Sequence, residues 1–427
     1  VSHKRKVFVF IVLLVLAVIF AVVFSHSDSK NQETTTNLNT GSSNPTSTSA
    51  QSQQSEITLH AVSVSLSSGK KFSLNIPEKY SLGVAAQGFR HARFMALSPD
   101  RRLFLGDMTS ASDTNTGKVY VLSDFDERSG TFKTQKVYLN NLRNPNSVEF
   151  YTDSSGQSWL YIALTDKLIR YLYSAGDNAP TQSPQTVAIF PDTPHNPPQG
   201  YWHITRTVVI QNNKLYVSVG SSCDLCEEID SPRAVILSMD PDGGNLKVIA
   251  SGLRNAVGLV VVDNDLFATV NESDKLGNDR PNDVVYKIVE GANYGWPYCY
   301  EYNETVYQTD PAKWTKKFDC SKVPVAWNAF AAHAAPLGLE YFSKSFADQT
   351  IQNSLLVALH GSGDVKIGNG NSVVMVRESS KPVDFISGFI QNGKRLARPV
   401  DVLKYNGNSF FISDDFNGVL YYLNYHS

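Results

Sequence analysis

Seven side chains recur at equivalent corners of a repeated pattern in this 427-residue sequence: Arg93, His203, Arg206, Arg254, Asn255, His333 and Arg398. The runs that follow them are otherwise apolar. Cations that converge on one point suit a ligand carrying several negative charges. A single arginine at such a corner more often bridges neighbouring elements by hydrogen bonds. Four or more at equivalent places point to a site.

Whether they converge depends on the elements that carry them. Each copy reads as a polar corner, a strand, a short turn, and a second strand ending at a small or acidic residue. Copies begin at Ala92, Asn144, His203, Arg254, Ala334 (continued from Asn353) and Ala397, which makes six. A further apolar strand follows each, as in Gly117–Leu122 and Gly418–Leu423. Turn formers separate the paired runs at Ser98-Pro99-Asp100-Arg101, Gln211-Asn212-Asn213-Lys214 and Tyr405-Asn406-Gly407-Asn408, as tight hairpins require. Six such units fit an all-β, six-bladed β-propeller, in which four-stranded sheets repeat around an axis. A β-sandwich is the competing architecture, but it would not repeat the same corner at this spacing. In a propeller the inner strand of every blade starts near the central channel on one face, so the corners meet there.

Composition narrows the function. Net charge is −2 and charged residues make up 18%, which argues against binding nucleic acid by phosphate neutralisation. The N-terminal part of the chain differs from the rest. Residues 1–6 include His3-Lys4-Arg5-Lys6, and Val7 to Phe24 is an unbroken apolar run. At roughly 27 Å as a helix, that run matches the hydrocarbon thickness of a bilayer. The cationic start predicts a cytoplasmic N-terminus, a single-pass signal-anchor and a head outside the cytoplasm; a cleaved signal peptide is the alternative. Residues 25–57, rich in Ser, Thr and Gln, read as a flexible linker, and 58–427 as the propeller. An extracytoplasmic head predicts disulfides. Spacing favours Cys223–Cys226 as a loop clasp and Cys299–Cys320 as a clasp on an insertion. A zinc site at the single Cys-x-x-Cys is the weaker reading, because Cys299 and Cys320 supply no second close pair.

Several corners are recognisable together. In order they are His203-Ile204-Thr205-Arg206, Gly252-Leu253-Arg254-Asn255, the run Ala268 to Asp279, and Tyr294-Gly295-Trp296-Pro297. His333-Ala334-Ala335-Pro336, His360-Gly361-Ser362 and Arg398-Pro399-Val400-Asp401 complete the set. From about residue 80 to the end the chain resembles the glucose/sorbosone dehydrogenase family, the sorbosone dehydrogenase-like branch most closely. The resemblance implies pyrroloquinoline quinone (PQQ) and a calcium ion in the propeller mouth, with a sugar as substrate. It implies His203 as the base that takes the proton of the anomeric hydroxyl, since imidazole titrates near neutrality. Arg254 would face the quinone oxygen, Asn255 would hydrogen-bond the cofactor, and Arg398 would pair with one of its carboxylates. Calcium would sit largely on backbone carbonyls of Gly277, Asn278 and Asp279. Electrons would leave to a quinone or a cytochrome, which suits a membrane-tethered head.

Plainer readings stand beside these. His203 follows Tyr201-Trp202 and could be a packed histidine; Arg254-Asn255 could cap a corner; Asp274 and Asp279 could be solvated carboxylates. Arg206 either contacts the cofactor or orients its loop. One departure from the family pattern is substantial: His-Gly-Ser usually continues Trp-Asn-Arg, whereas here Gly363-Asp364-Val365-Lys366 follows. Lys366 is then the candidate replacement cation. Two competing functions remain: a non-catalytic propeller binding glycan or protein, and a metal-dependent lactonase, for which the corners offer too few carboxylates.

Overall fold

Strands rich in Val, Ile, Leu and aromatic residues form because alternate side chains find cover on both faces of stacked sheets. Lys71–Pro77 shows the alternation, with Phe72, Leu74 and Ile76 buried and the residues between them less so. The turns behave as their residues require. Asn212 and Asn213 both adopt positive φ, 49° and 59°, between strands Arg206–Gln211 and Lys214–Val219, the geometry of a two-residue hairpin loop. The structure is a computed structural model that describes residues 57–192 and 203–427. The expected membrane span Val7–Phe24 and the linker up to residue 56 lie outside those residues. Among the described residues no helix is long and apolar enough to cross a membrane.

Six four-stranded antiparallel units surround an axis, the six-bladed β-propeller expected from the repeat. Their inner strands, in blade order, are Ala92–Leu97, Ser147–Thr152, Arg206–Gln211, Ala256–Val262, Pro336–Phe342 and Pro399–Lys404. The third blade gains a fifth, parallel strand, Ala292–Asn293, beside Lys247–Ser251. The ring closes by joining the ends of the propeller. Tyr80–Gln87, from before the first blade, pairs with Val419–Tyr425 as the outer strand of the sixth. This register buries Tyr80 against Phe385 and Phe410.

Apolar clusters fill the spaces between adjacent blades, among them Phe104, Val121, Leu160 and Ile162 between the first two. Each fully buried side chain of this size contributes roughly 2–3 kcal/mol relative to exposure. A separate group, Phe94, Val257, Leu337 and Val400, comes from four inner strands and plugs the axis. Close approach of the inner strands needs glycine: a Cβ on Gly258 would lie 2.1 Å from the Leu337 carbonyl oxygen of the next blade. Two additions decorate the ring. The hairpin Leu59–Ser65 with Lys71–Pro77 packs Val64, Leu74 and Ile76 onto Phe342, Phe385 and Phe389. An insertion within the fourth blade carries the hairpin Cys299–Tyr302 with Thr305–Gln308, and that blade's outer strand arrives only at Asn328–Phe330. All four cysteines are paired, Cys223 with Cys226 and Cys299 with Cys320.

Candidate active site at the channel mouth

The corners of the blades do converge. Above the apolar plug lies a cavity of about 600 Å³, with Val257 and Leu337 at its base. The third and fourth blades contribute His203 and Asn255, and the first and fifth contribute His91, Arg93 and His360.

His203 is placed by its neighbours at three points. Its backbone takes a positive φ of 46°, an uncommon conformation that surrounding contacts must hold. Arg206, buried beneath it, donates from Nη1 to the His203 carbonyl at 2.6 Å and the Thr205 carbonyl at 2.8 Å. Its Nη2 reaches the Pro191 carbonyl at 3.2 Å. Of the two roles open to Arg206, loop orientation is the one its contacts describe. The imidazole Nδ1 lies 2.9 Å from the Ser221 carbonyl oxygen and 3.0 Å from Ser221 Oγ. Burial, reinforced by Arg254, holds the His203 imidazole well below its ordinary value, so it is neutral at neutral pH. Gly220 lets the ring and Asn255 meet: a Cβ there would lie 2.5 Å from Asn255 Oδ1 and 2.6 Å from His203 Cβ.

Arg254 is buried and does not line the cavity. Its guanidinium donates to Asp224 Oδ1 at 2.7 Å, Asp274 Oδ2 at 3.0 Å, and the Asp224 and Glu272 carbonyls at 3.1 and 2.7 Å. It thus balances a group of acids from the third and fourth blades, Asp224 from the third and Glu272, Asp274 and Asp283 from the fourth. Within that group burial pushes Glu272 up to about 8 and Asp283 up to about 6.

The opposite wall is built on one carboxylate. Asp415 Oδ2 accepts from His360 Nε2 at 2.9 Å and Arg93 Nη1 at 3.2 Å, with His91 Nε2 at 3.3 Å. Burial opposes its charge, yet His360, Arg93 and His91 together hold Asp415 well below the usual carboxylate range. His360 is driven down to about 3 by burial. Arg93 Nε donates to Asn146 Oδ1 at 2.9 Å, and Asn146 Nδ2 donates to the Arg206 carbonyl at 3.1 Å. A polar belt therefore runs from the fifth blade through the sixth, first and second to the third.

Arg398 stands under the His-Gly-Ser corner, donating to the His360 carbonyl at 3.0 Å and the Gly361 carbonyl at 2.8 Å. Burial lowers it to about 10, so it stays cationic. Arg395 joins it there, reaching Asn371 Oδ1 at 3.3 Å and the Ser362 carbonyl at 2.5 Å. Lys366 is exposed, its backbone N–H held by Asp364 Oδ1 at 2.9 Å; the structure brings Arg395, not Lys366, to that corner. Gly277, Asn278 and Asp279 form a loop at the surface, and the Gly277 carbonyl lies 2.7 Å from His333 Nε2. Among the described residues one grouping of three potential metal-ligating side chains occurs, Cys223, Cys226 and Glu228. Its cysteines are joined in a disulfide, which removes the zinc reading.

A family model described as TrAA12-like matches residues 74–424. The chain belongs to the TrAA12-like family. A curated relative, an uncharacterized protein of Borreliella burgdorferi, is 26% identical over 313 residues, 69% of this chain and 79% of that protein. Among solved structures, a calcium structure of the Trichoderma reesei Carbohydrate-Active Enzymes Family AA12 superposes with a TM-score of 0.67 at 17% identity. That match covers 88% of this chain and 100% of the other. The holo form of the pyranose dehydrogenase PQQ domain from Coprinopsis cinerea gives 0.63 at 19%, covering 82% and 97%. At these identities the structural likenesses speak for the propeller fold. Within this TrAA12-like chain, sequence reading missed Asn146, Asp415, His91, Arg395 and Ser221. Arg395 lies three residues before Arg398 and His91 two before Arg93, and Asp415 closes the sixth copy, so these three stood near recognised features without being singled out.

Proposed function

We propose that the chain is a quinoprotein oxidoreductase that oxidises the anomeric carbon of an aldose, or a sugar aldehyde, with PQQ and calcium bound at the channel mouth. The observation that carries this reading is a neutral, half-buried histidine beside Asn255 in a 600 Å³ cavity whose far wall holds Arg93. Arg395 and Arg398 stand near that wall, at the His360–Ser362 corner. The cavity is of a size that encloses a small planar cofactor, and a planar tricarboxylate matches cations drawn from several blades. The oxygens of the Gly277–Asp279 loop are of the type a hard cation such as calcium takes, but the Gly277 carbonyl is engaged by His333 and the loop does not line the cavity. The names of the AA12, pyranose dehydrogenase and aldose sugar dehydrogenase structures support the same assignment.

When bound, the quinone supplies the hydride acceptor and calcium increases its electrophilicity. His203 takes the proton of the anomeric hydroxyl as the carbon loses hydride, so a hemiacetal becomes a lactone. Asn255 orients the cofactor, and Arg206 holds the His203 turn. Arg93, Arg395 and Arg398 balance carboxylate charge. Arg254 supplies positive charge from behind His203, tempered by Asp224 and Asp274. We infer also that Val7–Phe24 anchors the chain in a membrane with the propeller outside the cytoplasm, close to an electron acceptor.

A second reading, a propeller that binds glycan or protein without turnover, is favoured by one observation: Arg254 is turned into carboxylates rather than into the cavity. Calorimetry separates the two. Full-length protein titrated with PQQ in calcium is expected to bind and then to reduce a dye acceptor with at least one aldose. His203→Ala is expected to bind the quinone and lose turnover by at least about a hundredfold. Absence of both quinone binding and turnover across a sugar panel would overturn the enzymatic reading.

A further inference from the structure

We propose that Ser221 is a positioning residue that fixes His203 in the tautomer protonated at Nδ1, and that the Cys223–Cys226 clasp holds Ser221 in place. The proposal rests on the reading of His203 as the base, and it names what prepares that base. Two oxygens of Ser221 face the same ring nitrogen, the carbonyl at 2.9 Å and Oγ at 3.0 Å. A carbonyl oxygen has only lone pairs to offer. The hydroxyl has one hydrogen, and it is committed to the Cys223 carbonyl at 2.6 Å. Both oxygens therefore present lone pairs to Nδ1, and only an N–H can satisfy them. A lone pair at Nδ1 would face two acceptors of the fully buried Ser221, an unfavourable arrangement. The proton belongs on Nδ1, and Nε2 carries the lone pair that a base needs.

This arrangement differs in consequence from a carboxylate behind the ring. A carboxylate would orient the imidazole and also favour its protonation. Neutral oxygens orient it and favour protonation only weakly, less than burial and Arg254 oppose it, which keeps His203 unprotonated and ready to accept a proton at neutral pH.

The loop that carries Ser221 is fastened at every step. Ser221 itself is fully buried, and its N–H donates to the Arg254 carbonyl at 2.8 Å. Ser222 N–H and Oγ both donate to the Glu228 carboxylate, at 2.7 and 2.5 Å. The disulfide closes the chain between the Cys223 that receives the Ser221 hydrogen bond and Cys226. A short loop closed in this way has few alternative conformations. Glu227 ties its far side to the insertion, through the backbone N–H of Thr315 at 3.2 Å and of Lys316 at 3.1 Å.

The test reads the tautomer directly, without cofactor or turnover. Full-length protein labelled with ¹⁵N-histidine is studied by two-bond nitrogen–proton spectra, with His203 assigned from His203→Gln. The native chain is expected to show Nδ1–H alone. Ser221→Ala leaves the carbonyl as the one acceptor and frees the latch on Cys223, so the Nε2–H form is expected to appear beside it. Ser221→Thr keeps the hydroxyl and is expected to restore the native spectrum. Cys223→Ser with Cys226→Ser is expected to give the same mixture as Ser221→Ala, and serves should that variant fail to fold. In the loaded enzyme kcat is expected to fall about tenfold in Ser221→Ala with KM little changed. An Nε2–H tautomer in the native chain, or an unchanged tautomer in both disrupting variants, overturns the proposal. A native Nδ1–H tautomer lost in the variants, in a protein that turns over no sugar, overturns the oxidoreductase reading and leaves this inference standing.

Discussion

At the scale of single residues, the site is organised by groups that keep other groups in unusual states. Arg206 spends its donors on backbone carbonyls of the His203 turn, where a positive φ must be held. Asp415 gathers His360, Arg93 and His91 around one oxygen. Gly220 matters through what it lacks. Substituting Ala there puts a methyl group within 2.6 Å of both His203 and Asn255, and neither can move without leaving the cavity wall. Gly220→Ala is expected to keep the native circular dichroism and to lose about a hundredfold in kcat/KM. Weakened PQQ binding in calorimetry would accompany that loss; unchanged binding and rate would show that the wall yields. These residue roles were only partly legible in the sequence. His203, Asn255 and Arg398 stood at recognisable corners, but Asp415 and Asn146 are ordinary polar residues until neighbouring blades face each other.

At the scale of elements, the closure of the ring carries the most weight. Blades in the middle of the chain are held on both sides by sequence neighbours, but the sixth is completed by Tyr80–Gln87, more than 330 residues from its partner strand Val419–Tyr425. Removing that strand exposes the edge of Val419–Tyr425 and uncovers Phe385 and Phe410. A chain that begins after Gln87 is expected to unfold at least roughly 10 °C lower, which corresponds to several kcal/mol in a domain of this size. A thermal midpoint within a few degrees of the native value would mean that the sixth blade is stable with three strands. The insertion of the fourth blade makes a different prediction. Cys299 and Cys320 close a loop of about 20 residues, for which chain-entropy arguments give about 3 kcal/mol. The doubly Ser-substituted protein is expected to be cut first within residues 300–319 in limited proteolysis, with the blades intact. Cutting elsewhere at the native rate would place the insertion's stability in its aromatic contacts, such as Tyr298 on Phe318.

At the scale of the whole molecule, burial of ionisable groups sets how stability responds to pH. His203, His91 and His360 are held neutral by burial. The unfolded chain binds their protons more readily, so they penalise the fold as pH falls below about 6.5. Buried acids act in the opposite direction. Burial raises Asp401 and Glu272 to about 8 and Asp414 to about 6. In the unfolded chain these acids ionise near pH 4. The folded state holds more protons there, so stability falls as pH rises from about 4 through 8. Above 6.5 only the acids still act. The thermal midpoint is therefore expected to decline between pH 6.5 and 8. A midpoint that climbs over that interval would contradict the assignment of these carboxyls as protonated in the fold.

What the sequence by itself determined is what local pattern can encode. Alternating apolar runs, two-residue turns and a sixfold corner specify blades, because strand pairing within a blade is between neighbours in the chain. Motif order put His203 and Asn255 at corners that meet in the cavity, and spacing paired the cysteines, for the same reason. Only the tertiary structure decided which way the long cations point. Arg206, Arg254 and Arg398 all sit at corners, but each finds carbonyls or carboxylates outside the cavity and turns to them. Lys366 stays in water while Arg395 reaches the corner. A guanidinium on a flexible stem goes to whichever acceptors are nearest in space, and those lie on neighbouring loops and blades whose distance and orientation no local spacing records.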